Sequence, residues 1–187
     1  NYLITGTGTA NTLQGEANLT YDGTNLQLVT DANNEGIKLN STLSGGSSYP
    51  VFEMDANRSV GNTLGKIISK WNGTEVASIQ FVSGADGTNK DDAHIYFNTA
   101  ASGTDTNRMI IDSSGRLLLG TTTEGVANAS EFTIADTGHC GMTIRSGTSH
   151  DGQIAFSDGT SGDDEFRGQI RYNHGSNYLT FVTDATE

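Results

Sequence analysis

Polar and apolar residues along this chain follow the two-residue period of β-strands, and one segment departs from it. In residues 108–120 two apolar runs, Met109–Ile111 and Leu117–Leu119, flank a short polar turn. Asp112 can accept hydrogen bonds from the turn backbone, and Gly115 can take the positive φ of a type I turn with a bulge. The pattern predicts a β-hairpin. Because apolar residues stand at consecutive positions, both faces of this hairpin should be covered.

Two other hairpins are predicted from turn residues. Asp22-Gly23 separates two short alternating runs, Leu19–Tyr21 and Leu26–Val29. Asn72-Gly73 follows residues 64–71, whose apolar positions also fit a helix. Asn-Gly between strand-like runs is the strongest short-range hairpin signal, so we interpret 65–82 as a hairpin.

The remaining apolar runs predict isolated short strands separated by polar loops. These strands are Tyr2–Ile4, Gly36–Leu39, Val51–Met54, His94–Phe97, Phe132–Ile134, Met142–Ile144, Gln153–Phe156, Gln169–Tyr172 and Tyr178–Phe181. Polar loops are predicted at 83–92 and 99–107. The pattern as a whole indicates an all-β protein without helices.

The strands align as two rounds of an internal repeat. Val51–Met54 aligns with Met142–Ile144, Gly65–Ile67 with Gly152–Ile154, Ala77–Phe81 with Gly168–Tyr172, and Ile95–Thr99 with Leu179–Thr183. We therefore expect three parts: an N-terminal linker and hairpin in 1–35, a first β repeat in 36–120, and a second repeat in 121–187. The second repeat ends where the 108–120 segment should recur, so we expect a fragment of a stacked array.

The segment 108–120 resembles a motif of tail-fibre shafts from tailed phages, especially marine phages. That motif reads Arg-Met-x-Ile-Asp-Ser-Ser-Gly-(Arg/Asn)-x-Leu-x-Gly, and the hairpin of residues 19–28 is also similar to phage-fibre sequence. The resemblance implies an elongated array of small antiparallel β-sheet modules and hairpins, intertwined as a parallel homotrimer. It also implies an extracellular location in the virion tail fibre. Host cell-surface glycans would be bound by a tip outside this chain.

The amino-acid composition also indicates that this chain associates with other copies of itself. The net charge is −12, the chain has 24 glycines, and Leu, Ile, Val and Phe make up about a fifth of the residues. A chain that is ordered yet poor in core residues must bury surface against copies of itself. We expect Ile110 or Ile111 to face such a copy. The acidic balance argues against a nucleic-acid partner, and no segment is apolar enough to predict a membrane span.

Acidic loops are the first candidates for chemistry. Asp91-Asp92 and Asp163-Asp164-Glu165 could pair carboxylates for glycoside hydrolysis or bind a hard cation. A catalytic acid needs partial burial to raise its pKa, which solvated loop tips do not supply. We interpret both groups as turns, and weak calcium binding by 158–165 stays open.

The other candidates are single residues. On a threefold axis, His94 or His174 could bind a metal through symmetry, although all four histidines, with His139 and His150, are more simply surface or interface residues. Cys140, the only cysteine, is expected to be a small buried thiol, and Trp71 a core residue rather than a sugar platform.

The sequence thus predicts a structural protein, not an enzyme, with no catalytic residues, no cofactor and no metal site. Its function would be to form the shaft of a phage tail fibre and support host recognition or adhesion. Two alternatives remain open. One is a fragment of a polysaccharide-degrading tailspike. The other is a bacterial surface adhesin or filament subunit, because fold does not fix function.

Overall fold

The computed structural model describes residues 2–6, 13–30, 33, 36–41 and 49–184. The chain divides into two units, Asn1–Met54 and Asp55–Glu187. Within the described residues the regular structure is β-strand apart from one short 3-10 helix, Gly162–Phe166. The strands form three small sheets in which nearly all neighbours are antiparallel. The prediction of an all-β fold built from small antiparallel sheets is confirmed.

The first unit contains a three-stranded antiparallel sheet. Its strands are β1 (Tyr2–Gly6), β2 (Leu13–Tyr21) and β3 (Leu26–Leu28), in that order. Leu19 pairs with Leu28 and Tyr21 pairs with Leu26. At the turn, Asp22 Oδ1 accepts hydrogen bonds from the backbone N–H groups of Thr24 (2.8 Å) and Asn25 (2.7 Å). The predicted hairpin across Asp22-Gly23 is confirmed.

The second unit contains a six-stranded sheet whose strands follow chain order. They are β4 (Thr63–Trp71), β5 (Thr74–Ser83), β6 (Ala93–Ala101), β7 (Thr104–Ile111), β8 (Leu117–Leu119) and β9 (Phe132–Ile134). Only β8 and β9 pair in parallel. Asn72 (φ 48°) and Gly73 (φ 85°) form the β4–β5 turn with two positive φ angles, as a type I′ turn requires. Residues 64–71 therefore form a strand, and the hairpin interpretation is confirmed.

The predicted hairpin at 108–120 joins β7 and β8. Met109 pairs with Leu119, Ile110 with Leu118 and Ile111 with Leu117. The turn closes through a 2.9 Å hydrogen bond from Gly115 N–H to Asp112 O, and Gly115 has the expected positive φ of 80°. The described residues bury only one face of the hairpin: Ile110 is 3% exposed, but Ile111 on the opposite face is 36% exposed. Coverage of the second face remains a prediction.

Several predicted strands are wrong. Gly36–Leu39, Val51–Met54 and Met142–Ile144 form no strand. A strand is stable only where a neighbouring strand completes its hydrogen-bond ladder, and these runs pair with none of the described strands. The predicted polar loop 99–107 is also wrong. It forms the ends of β6 and β7 around the turn Ser102-Gly103, because threonine fits a pleated surface well although it is polar.

A third sheet repeats part of the second. Its strands β10 (Asp151–Phe156), β11 (Gly168–Asn173) and β12 (Tyr178–Thr183) are antiparallel and confirm three predicted strands. Residues aligned in the sequence repeat hold the same register in the two sheets. The set Ile67, Ile79 and Phe97 pairs in the same way as the set Ile154, Ile170 and Phe181.

The turn of the 108–120 hairpin gives a stability prediction. A Cβ added at Gly115 would meet no atom within 4 Å, so Gly115→Val should act through backbone strain alone. We expect a loss of about 1–3 kcal/mol in the free energy of unfolding, measured by denaturant unfolding of the purified protein. Gly141→Val is the matched control, since Gly141 has equal space and no positive φ. Equal losses in the two variants would contradict this account.

Candidate functional site

The strand register gives the six-stranded sheet one apolar face. Two rows of residues cross all six strands on this face. One row is Gly65, Phe81, Ile95, Ile111, Leu117 and Phe132; the other is Ile67, Ile79, Phe97, Met109, Leu119 and Ile134. We call these rows the apolar face. None of these residues is buried, and Ile67 and Phe132 are each 51% exposed.

The third sheet has an equivalent face. Ile154, Ile170 and Phe181 form one of its rows, and Gly152, Tyr172 and Leu179 form another. Gly152 has no side chain, and the other five residues of these rows are all exposed, with Phe181 at 67%. The apolar face therefore recurs in the second repeat at the same register, so it is a property of the repeat and not of one sheet.

The opposite face of the six-stranded sheet, which we call the polar face, is the one that this chain covers. Val82, Ile110 and Leu118 lie on it and are the buried apolar residues of this sheet. The segment after β8 lies against it, since Gly125 N–H donates a 3.0 Å hydrogen bond to Oγ1 of Thr133. The described loops thus cover the more polar of the two faces and leave the apolar face open.

Charged and neutral polar side chains form a network on the polar face: Lys66 with two carboxylates, and the Asn98 amide with the Ser78 hydroxyl. The Lys66 ammonium contacts the Glu75 carboxylate and lies 3.6 Å from Asp105 Oδ2. The Glu75 carboxylate raises the pKa of Lys66, although burial acts in the opposite direction. Asn98, which is 3% exposed, donates through Nδ2 to Ser78 Oγ at 3.1 Å. The network ties β4, β5, β6 and β7 together.

Asp112 is the electrostatic centre of the 108–120 turn. Its Oδ1 accepts hydrogen bonds from the N–H groups of Ser114 (2.9 Å) and Arg116 (3.0 Å), and Oδ2 accepts one from Arg116 Nε at 2.7 Å. Arg116 also lies 3.2 Å from Glu124. Burial raises the pKa of the Asp112 carboxyl, but the hydrogen bonds from Arg116 and Ser114 together hold it below its usual value. The carboxylate therefore stabilises the turn in its ionised form.

The predicted acidic groups lie in loops, and two of their carboxylates hold these loops together. Asp92 accepts a 2.8 Å hydrogen bond from Ala85 N–H, and Asp164 lies 2.6 Å from Arg167. Asp91, Asp163 and Glu165 are exposed. Among the described residues, no group of three or more His, Cys, Asp and Glu side chains is placed to hold a metal ion.

The single-residue candidates are dispersed. His94 is half-buried in β6 and accepts a 3.1 Å hydrogen bond from Ser113 N–H through Nδ1. His174 is half-buried with its ring 4.9 Å from that of Tyr172, while His139 and His150 are exposed.

Two burial predictions are wrong. Cys140 is exposed because the segment after β9 joins no sheet. Trp71 is 77% exposed because it stands at the tip of the β4–β5 hairpin, beyond the apolar rows.

Sequence reasoning missed the apolar face as a continuous surface. The alternation of apolar and polar residues indicates that each strand has one apolar side. Which residues of neighbouring strands lie side by side in a row depends on the register of all five strand pairs in the sheet. The sequence left open whether Ile110 or Ile111 faces outward; the register places Ile111 on the apolar face and Ile110 on the covered one.

The chain matches no protein-family model and no curated protein. In the described part of the chain, no helix has the length and hydrophobicity needed to cross a membrane.

The lowered pKa of Asp112 predicts how stability depends on pH. A carboxyl with a depressed pKa stabilises the fold above its unfolded pKa of about 3.9, and this contribution is lost as pH falls through the folded pKa. Asp112→Asn should therefore reduce the loss of unfolding free energy between about pH 5 and pH 2. The measurement is denaturant unfolding at several pH values. Asn128→Ala, at an exposed position without an ionisable side chain, is the control and should leave the pH dependence as in the wild type.

Proposed function

We propose that this chain is a structural module that assembles with two copies of itself into a parallel homotrimer. We further propose that the trimer forms part of a phage tail-fibre shaft, without enzymatic activity of its own. The observation that carries the assembly is the apolar face, which crosses the whole six-stranded sheet and is uncovered by the described chain. The tail-fibre assignment depends on the motif at 108–120.

The exposed apolar area is large relative to the stability of a small domain. Burying one Ile, Leu, Phe or Met side chain contributes about 1.5–3 kcal/mol, and a whole domain is stable by about 5–15 kcal/mol. Monomeric proteins rarely expose a continuous apolar patch of this kind. The side chains of the apolar face are already partly covered by their neighbours in the sheet, so each contributes only part of that energy when a partner buries what remains exposed. Summed over the two rows, this part is still comparable with the stability of a small domain.

The recurrence of the apolar face favours copies of this chain as the partner. A partner that covers both sheets must present apolar rows at the spacing of the repeat. The chain itself carries such rows, at Ile67, Ile79 and Phe97 and again at Ile154, Ile170 and Phe181. Symmetric self-association satisfies this requirement with one sequence.

The alternatives differ in how well they agree with the fold. A tailspike built as a β-helix needs parallel coils, whereas β8–β9 is the one parallel pair among the described strands. A bacterial adhesin or filament subunit would use the same apolar face, so it differs from our proposal in location and not in assembly. Turnover of a host polysaccharide that Asp163→Asn abolishes would favour the tailspike.

Two adjacent substitutions test the assembly. Ile79 lies on the apolar face, and Gln80 is the next residue of β5 on the polar face. Ile79→Asp should abolish the trimer, because it places an unpaired carboxylate in the interface at a cost of several kcal/mol. Gln80→Asp adds the same charge and should leave the trimer intact. Sedimentation velocity of the purified variants measures the oligomeric state.

The wild-type protein gives the decisive result in the same experiment. A compact, stable monomer at micromolar concentration would overturn the proposal, and so would equal effects of Ile79→Asp and Gln80→Asp. Ile111→Asp should behave like Ile79→Asp, since both residues lie on the apolar face.

A further inference from the structure

The polar face of the six-stranded sheet contains an open cleft of about 490 Å³. Its floor comes from three neighbouring strands: Gln80 from β5, His94 and Tyr96 from β6, and Asn107 from β7. The volume lies within the range of about 300–1,000 Å³ typical of small-molecule sites.

The cleft has apolar walls. Val60 precedes β4 and Ala85 follows β5, and both line the cleft together with Val82 of the sheet. The Tyr96 ring adds an aromatic surface, half-buried and 6.1 Å from the His94 ring. Such an aromatic ring offers an apolar surface with a polar hydroxyl at one end.

The polar groups of the floor have unused hydrogen-bonding capacity. His94 Nδ1 accepts the 3.1 Å hydrogen bond from Ser113 N–H, so the neutral imidazole carries its proton on Nε2. Neither the Tyr96 hydroxyl nor the Asn107 amide bonds to another described residue. Gln80 uses only Oε1, which is 3.5 Å from Thr63 Oγ1. Donors and acceptors therefore lie together around an aromatic ring.

None of the described residues that line the cleft is an Asp, Glu, Lys or Arg, although the chain carries 22 acidic residues. Without Lys or Arg it does not suit a phosphate or sulfate, and without Asp or Glu it does not suit a cation. A ligand that matches it is uncharged, has many hydroxyl groups and presents C–H faces to an aromatic ring. We propose that this cleft binds neutral saccharide units.

The saccharide site does not depend on the proposed assembly. It lies on the polar face, opposite the apolar face, so packing of the apolar faces would leave it accessible. Saccharide binding and self-association can therefore be measured separately.

Binding of the purified full chain to an array of immobilised neutral and anionic glycans tests this proposal. We expect binding to neutral glycans and about tenfold weaker binding by Asn107→Ala, which removes one amide partner. Asn107 is exposed, so its truncation should not affect folding. Tyr96→Phe, which keeps the ring and removes the hydroxyl, should also weaken binding. Asn128→Ala, at an exposed position away from the cleft lining, is the control and should bind as the wild type does.

Three results would overturn the proposal: no glycan bound by the wild type, preference for anionic glycans, or binding unchanged by Asn107→Ala and Tyr96→Phe. Sedimentation velocity of the same samples tests the proposed trimer independently of the proposed saccharide site. A wild-type monomer that binds neutral glycans through the cleft would refute the assembly and leave the saccharide site standing.

Discussion

Each strand of the six-stranded sheet divides its side chains between two faces, and the described part of the chain buries apolar side chains on only one of them. The loops lie over the polar face, where Val82, Ile110 and Leu118 are buried. The apolar face carries the larger share of the isoleucine, leucine and phenylalanine side chains, yet no described segment packs on it. Burial of that surface is the constraint on which the rest of the molecule depends, because so acidic and polar a chain has few other apolar residues to bury.

The hairpins were predictable because their turns carry the information locally. Asn72-Gly73 and Gly115 require positive φ angles that few other residues adopt, and the structure shows those angles. The two kinds of wrong prediction have different causes. Val51–Met54 has suitable residues but pairs with none of the described strands, and no local pattern reports the absence of a partner. Residues 99–107 are polar, yet they pair with each other across Ser102-Gly103, whose positive φ angles of 55° and 84° close a hairpin that the polar composition conceals.

The candidate surfaces were harder to predict than the strands. A one-residue slip in register would exchange Ile110 and Ile111 between the two faces, so the outward residue follows only from the pairing of β7 with β6 and β8. The cleft likewise joins residues far apart in sequence, such as Val60 and Asn107. The acidic loops, by contrast, contain their own partners: Asp164 meets Arg167 three residues later.

The edges of the six-stranded sheet resist lateral growth. At one edge β9 has only three residues, and at the other the pairing of β4 with β5 is interrupted by bulges, one at Leu64 of β4 and one at Val76 of β5. Short, bulged edge strands that carry lysine are poor templates for a further strand. A protein with an open apolar surface can aggregate into fibrils when edge strands of different molecules form backbone hydrogen bonds with each other. Short and bulged edge strands disfavour that pairing. Association is thereby directed through side chains, which favours closed complexes of defined size over open-ended sheets.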